Sequence, residues 1–441
     1  MNFVMTQYLQ EAIKTEAFLA SNLTKTNDGS TWRRTPNGKV SHTLYHGSAG
    51  VLVYYLELYL HTRNEKYLSI ASSAADELLA YVLQKAKSEE WLTIGIYSGW
   101  PGYVFALNEF YKVTQDDTFR AGAIIALDRM TAQSSEIGAG IGWIEDIPFS
   151  DITGITGKRE VIDLSVGAAG AGIVYLYAYR QDLLDNPDLA IQTANRLLEL
   201  AVHTEDGLNW MMMDDMPFSF TSPNFAHGGA GVAYFLADLY KETQNQAYLD
   251  AALSTASYVK SRAVKQSEGV LVCHLEEQQP PKTFYLGICH GPAGSGRLMF
   301  LLAEITKDSE YLDWMEENFK GLLSTGAPEK RSSGLWQNHG QCCGDAGIGD
   351  YALFLYGSTG SEGYLDYAKK TAEFLLKQAD SLEGNAWPMA EHRSRPDFLE
   401  SQTGYMQGAA GIGSFLVHLD SVIDGKPIKL IMPDTPFSYA I

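Results

Sequence analysis

The chain has 441 residues, 45% of them hydrophobic and 20% charged, and a formal net charge of −20. Those proportions belong to a folded globular protein with ample core. The acidic balance argues against nucleic acid and anionic membrane surfaces as partners, and fits either plain solubility or attraction for a basic or neutral peptide.

The N-terminus, MNFVMTQYLQEAIKTEAFLA, has no basic segment leading into an unbroken apolar core, so it does not read as a signal peptide. No stretch approaches the ~18 apolar residues that a membrane span needs. From Tyr8, YLQEAIKTEAFLASNL repeats its apolar residues at three and four positions and predicts an amphipathic helix. A pattern then recurs seven times: Gly-x-x-Gly followed by an apolar run. It reads HGSAGVLVYYLELYL from His46, SGWPGYVFALNEFY from Ser98, VGAAGAGIVYLYAYR from Val166 and HGGAGVAYFLADLY from His227. It continues as CHGPAGSGRLMFLLAEI from Cys289, CCGDAGIGDYALFLYG from Cys342 and QGAAGIGSFLVHLDS from Gln407. The first glycines are Gly47, Gly99, Gly167, Gly228, Gly291, Gly344 and Gly408, spaced 52 to 68 residues apart. A repeat of that period means a closed or stacked array.

The runs after the glycines are apolar on nearly every side, the mark of a buried helix. Between them, from Tyr67, Phe119, Leu189, Tyr248, Tyr311 and Tyr364, lie six amphipathic helices suited to an outer layer. The helix from Tyr8 makes a seventh. The expected fold is all-α, an α/α toroid with seven inner and seven outer helices in one domain spanning 1–441. The N-terminal helix would pair with the seventh inner helix to close the ring, and an irregular tail follows from about 423. The longer links, 144–162, 203–225, 268–288, 324–341 and 381–406, each run into a glycine motif, at the end of the ring where inner helices begin. Links of that length are usually functional or mobile. Trp100, Trp143, Trp210 and Trp336, in or near links and motifs, suit either the walls of a peptide groove or loop anchors.

Four cysteines in a long chain without a signal peptide suggest metal or catalysis rather than disulfides, and a cytoplasmic location. Cys273 lies outside the repeats and reads as a structural thiol. Cys289 stands two residues before Gly291, and Cys342 and Cys343 directly precede Gly344. Equivalent positions of adjacent repeats meet in a ring. Three thiolates at helix N-termini with a fourth position open suit a catalytic zinc; the alternative is a set of buried apolar thiols. His227 is in register with Cys343, where a group titrating near neutrality can move protons. His46 and His290 share that register, which alone does not choose among the three. Asp163, four residues before Gly167, points to the same mouth as a proton carrier, an orienter of His227 or a capping carboxylate.

Taken together, these residues resemble the lanthionine synthetase C-type cyclases and the wider LanC-like family over essentially the whole chain. The resemblance implies an α/α toroid and a Zn2+ ion held by a Cys two residues before the fifth motif's first glycine, here Cys289. Two adjacent residues ahead of the sixth motif's glycine, here Cys342 and Cys343, complete the ligand set. That pair is usually Cys-His, and the Cys-Cys-Gly form occurs in some bifunctional lanthipeptide synthetases. The family's catalytic His matches His227, and its catalytic Asp matches Asp163. Two positions differ: dedicated cyclases often have Arg where Tyr285 stands and Tyr where His290 stands, differences that bear on substrate rather than metal. The implied activity is addition of a peptide cysteine thiol to dehydroalanine or dehydrobutyrine, forming lanthionine or methyllanthionine thioether rings. Implied partners are a dehydrated precursor peptide, a separate dehydratase and an export transporter. No ATP or redox cofactor is implied, and no Walker-type loop is present. The alternatives are addition of glutathione or another thiol to dehydroamino acids, a carbohydrate-active α/α toroid using two carboxylates, and a non-catalytic zinc scaffold that binds peptides.

Overall fold

The computed structural model describes residues 6–146, 156–214, 221–275, 283–380 and 384–437. Parts of four of the five long links (147–155, 215–220, 276–282 and 381–383) lie outside the described residues. Fourteen α-helices alternate between two layers among the described residues. The outer layer holds α1 (Gln7–Ser21), α3 (Glu65–Lys87), α5 (Asp117–Ala132), α7 (Asp188–Glu199), α9 (Gln246–Ser261), α11 (Glu310–Ser324) and α13 (Glu362–Gln378). The inner layer holds α2 (Ser48–Thr62), α4 (Trp100–Thr114), α6 (Ala168–Arg180), α8 (Gly229–Thr243), α10 (Pro292–Thr306), α12 (Asp345–Thr359) and α14 (Ala409–Ile423). Each inner helix packs on the next, and α14 packs back on α2, so the ring of seven is closed. Each outer helix covers an inner one, and α1 covers α14, the closure that the repeats predicted. No helix among the described residues is long and apolar enough to cross a membrane.

The inner helices are buried because their sequences leave no polar face: every residue of α2 from Ser48 to Leu58 is buried. The glycine pairs answer a packing demand. A Cβ added at Gly231 would lie 2.0 Å from the Phe225 carbonyl oxygen, and one at Gly411 would lie 1.7 Å from that of Tyr405. In both cases the obstacle is the backbone six residues upstream, which cannot step aside. Outer helices start differently. Asn64, Asp116 and Asn245 cap α3, α5 and α9 by accepting the N–H two residues on. Those caps set the starts two residues ahead of the aromatic positions at which the apolar period becomes visible.

Short antiparallel strands fill the turns: β1 (Leu23–Lys25), β2 (Ser30–Arg33) and β3 (Val40–Ser41) form one sheet. Five pairs follow: β4 (Ser135–Ile137) with β5 (Gly140–Gly142), β6 (Ile144–Asp146) with β7 (Lys158–Glu160), β8 (Val202–Thr204) with β9 (Gly207–Asn209), β10 (Ala263–Lys265) with β11 (Val270–Val272), and β12 (Pro388–Met389) with β13 (Glu400–Ser401). Four buried tryptophans lock such turns to the preceding outer helix. The indole N–H donates to a carbonyl of its last turns, Trp32 to Leu19 at 3.0 Å, Trp143 to Met130 at 3.0 Å, Trp210 to Leu197 at 2.7 Å and Trp387 to Leu375 at 2.8 Å. Each such bond contributes about 1 kcal/mol beyond the area buried. Trp143 and Trp210 are thus anchors, not groove walls, and Trp100 is buried in the first turn of α4.

At the C-terminal ends of the inner helices the irregular tail enters the ring. Phe437 stacks on Phe354 with centroids 4.5 Å apart, and the Asp434 carboxylate takes Arg297 Nη1 at 2.6 Å and the Tyr97 hydroxyl. Nearby, His418 is held between Asp350 (2.9 Å) and Glu57 (3.3 Å). Burial alone would lower its pKa; the two carboxylates overcome that and push it up to about 10. A raised folded-state pKa adds stability in full below about 6.5, the unfolded value, and loses it as pH climbs through the folded one. Thermal melting is expected to fall between about pH 7 and about pH 10, with a shallower slope in His418→Gln. Identical slopes in both proteins would refute the pairing.

Candidate functional site

The repeats set two circular bands at the N-terminal ends of the inner helices. The residues two places before each first glycine are Tyr45, Tyr97, Ser165, Ala226, Cys289, Cys342 and Met406. Six of their seven neighbouring pairs share a backbone hydrogen bond of 2.8–3.2 Å, including Cys342 N–H to Met406 O, Cys289 N–H to Cys342 O and Ala226 N–H to Cys289 O. The residues one place before are His46, Ser98, Val166, His227, His290, Cys343 and Gln407, and all seven line one cavity of about 490 Å³. Register along the sequence has become adjacency around a mouth.

The three predicted sulfurs meet in its floor. Cys289 Sγ lies 3.2 Å from Cys343 Sγ, and Cys343 Sγ lies 3.3 Å from Cys342 Sγ; all three fall within 4.8 Å of one another. Gln407 Nε2 approaches Cys343 Sγ at 3.7 Å and donates to the Tyr45 hydroxyl at 3.1 Å. The approach to the cysteine pair is braced by Asp345, whose carboxylate takes two Arg331 nitrogens (3.1 and 2.9 Å) and His339 Nδ1 (2.7 Å). Burial, then the bonds to the other two sulfurs, push the Cys289 thiol well up. Cys343 is also raised: the bond from Cys289 pulls it down, and the bond it gives to Cys342 together with burial outweighs that pull. Cys342 is held well below the usual thiol range by the bonds from Cys289 and Cys343. Three soft donors around one point, Cys289 and Cys342 buried and Cys343 half-buried, fit a thiophilic divalent ion, whose charge would favour their thiolate forms.

The three histidines in register prove to have different partners. His227 Nδ1 lies 2.7 Å from Asp163 Oδ2, and the other Asp163 oxygen accepts the Val166 N–H at 2.8 Å. Asp163 thus shapes its own turn and orients His227 at once. Burial lowers the His227 pKa, but the charge and hydrogen bond of Asp163 outweigh it, and the net shift is upward. His46 Nε2 lies 3.0 Å from Glu391, which is also paired with Arg34. Burial, Arg34 and His392 hold His46 well below its ordinary value. His290 Nδ1 lies 3.3 Å from Ser222 Oγ, and burial, His274 and His227 hold it low too. Of the three, only His227 is biased toward carrying a proton.

Two features of the cavity were not read from the sequence. Arg393, on the loop between β12 and β13, donates from Nε to the Tyr285 hydroxyl at 3.1 Å. It brings a guanidinium beside the position where an arginine was found wanting. Glu145, in β6, is a buried carboxyl that also lines the cavity, pushed up to about 7 by burial. Trp336 does line the cavity, its ring 5.3 Å from that of Tyr285.

The family profile described as lanthionine synthetase C-like protein matches residues 38–427. The chain belongs to the lanthionine synthetase C-like family. Among solved structures, nisin cyclase is similar at 17% identity and a TM-score of 0.59, over 86% of this chain and 88% of that one. That level shows the shared fold. An α-1,6-mannanase of Salegentibacter sp. (15% identity, TM-score 0.46, 95% and 99% covered) and a D-mannose isomerase (13%, 0.44, 96% and 99%) also match. No match was found among curated proteins. Membership of the lanthionine synthetase C-like family points to enzymatic, cyclase-type activity, and the cysteine trio can hold a metal.

Proposed function

We propose that the chain is a zinc-dependent cyclase that adds a peptide cysteine thiol to dehydroalanine or dehydrobutyrine. One observation carries this reading: three sulfurs and His227 line one cavity, and His227 is backed from behind by the fully buried Asp163, the five residues coming from four consecutive repeats. Zinc held by Cys289, Cys342 and Cys343 would supply the positive charge that favours the thiolate form of an incoming thiol. The chain's own residues do the rest. Tyr285 and Trp336 give the cavity an aromatic, apolar lining. The substrate sulfur forms a bond to Cβ, the π pair moves toward Cα and the carbonyl, and an enolate develops. The thiol's proton passes to solvent as the thiolate forms; His227, whose pKa Asp163 raises, gives its proton to Cα and is then reprotonated from solvent, so the proton lost from sulfur is balanced by one gained at carbon. Arg393 brings a guanidinium to the same cavity, a positive charge that would offset the enolate's. The reading makes a dehydrated precursor peptide the substrate, supplied in the cytoplasm by a separate dehydratase and passed on to an export transporter.

The test is a synthetic peptide carrying one dehydroalanine and one cysteine. Ring formation leaves the mass unchanged and removes the thiol from alkylation; an alkylatable thiol after prolonged incubation refutes the cyclase. Loss of the alkene with a gain of one glutathione, and no ring, would move the assignment to intermolecular thiol addition.

A further inference from the structure

A second cavity, of about 550 Å³, lies beside the mouth. It is a cleft between two hairpin loops, residues 34–40 next to β2 and β3 and residues 390–400 between β12 and β13. Ser41, His46, Glu391 and His392 line both cavities, so the two lie side by side. Within the cleft Glu391 is already matched by Arg34 and His46. Lys39 and Arg395 also line it, and neither has an ion-pair partner among the described residues. Glu400 is the opposing charge, so the lining has a positive balance in a chain whose total is −20. The same loops expose Phe398 (57%), Leu399 (47%) and Val40 (38%), a clustering of large apolar side chains that solvent does not favour.

We propose that this cleft docks the part of the peptide substrate that flanks the reacting residues, and that it selects a segment in which carboxylates alternate with large apolar side chains. The proposal takes from the functional reading only that a peptide enters the mouth. An acidic segment is repelled by most of this protein's surface and attracted to Lys39 and Arg395, so the charge sets where the chain lies. Phe398, Leu399 and Val40 then cover its apolar side chains. A segment held there presents the following residues to the sulfur floor at high effective concentration, without adding any contact at the reacting atoms.

The experiment uses a fluorescein-labelled peptide alternating Glu and Leu, with no cysteine and no dehydroamino acid, followed by fluorescence anisotropy. The wild-type chain should bind it, and the Lys39→Glu/Arg395→Glu double variant should bind it at least about tenfold more weakly, the loss of two partly screened ion pairs. Rising salt should weaken the wild type toward the variant, and a Lys-Leu peptide should bind no better than the variant does. Both substitutions sit on exposed loops, and matched thermal melts will establish that the variant is folded. Equal binding by wild type and double variant, or preference for the Lys-Leu peptide, overturns the proposal. So does concentration-dependent self-association that Phe398→Ser abolishes, which would give the cleft to a second copy of the chain. The probe cannot react, so its binding is scored independently of ring formation: binding without cyclisation of a dehydrated peptide would keep the cleft and refute the cyclase.

Discussion

Cys289→Ala, Cys342→Ala and Cys343→Ala proteins are each expected to purify without stoichiometric zinc and without ring-forming activity. The three sulfurs come from two adjacent repeats, and the Cys289 N–H bond to the Cys342 carbonyl fixes one repeat's contribution against the other. No fourth sulfur is at hand, since Cys273 is not part of the cluster. Four-ligand structural zinc sites gain about 10–16 kcal/mol at neutral pH, so one ligand is worth about 3 kcal/mol, or roughly a hundredfold in affinity. Cys273→Ala is the control, expected to keep both zinc and activity. The measurement is metal content per chain by atomic spectroscopy, alongside the alkylation assay. One zinc per chain in all three variants would sink the ligand assignment whatever happened to activity.

The ring and the sulfur trio were legible for the same reason. A glycine pair recurs because each second glycine faces a carbonyl six residues upstream, and that demand is local, so it leaves a mark that repeats. Once the repeat is seen, register converts directly into neighbourhood, and Cys289, Cys342 and Cys343 must meet. The choice among His46, His227 and His290 was not legible in the register, which is common to all three; it rested on the family resemblance alone. It depends on partners distant in the chain: Asp163 for His227, Glu391 and Arg34 for His46, Ser222 for His290. Arg393 escaped notice for a related cause. It sits on a hairpin loop whose two-residue strands carry no alternation to read, and only packing against Tyr285 brings it to the mouth. Trp143 and Trp210 were ambiguous because a groove wall and a helix anchor use the same side chain. The recurring bond to an outer helix some thirteen residues back tells them apart.

His227→Ala is expected to keep its zinc and lose about 10²–10⁴-fold in kcat, the usual contribution of a positioned proton donor. Asp163→Asn gives the sharper result. His227 acts as an acid, so it works below its pKa, and that pKa is raised against the pull of burial chiefly by the charge and hydrogen bond of Asp163. Asparagine keeps an oxygen for the Val166 N–H, so the turn persists, but removes the charge while burial remains. The His227 pKa then falls, and the alkaline limit of the kcat profile moves to lower pH. Activity lost at neutral pH should be partly recovered on acidification, which a folding defect would not do. His46→Asn supplies the contrast: that ring is held neutral by burial, Arg34 and His392, so its removal should leave the alkaline limit in place. A kcat profile for Asp163→Asn that overlays the wild type would show that the proton reaching Cα is not governed by this pair, and the Glu145 carboxyl, raised to about 7 in the same cavity, would become the acid to test.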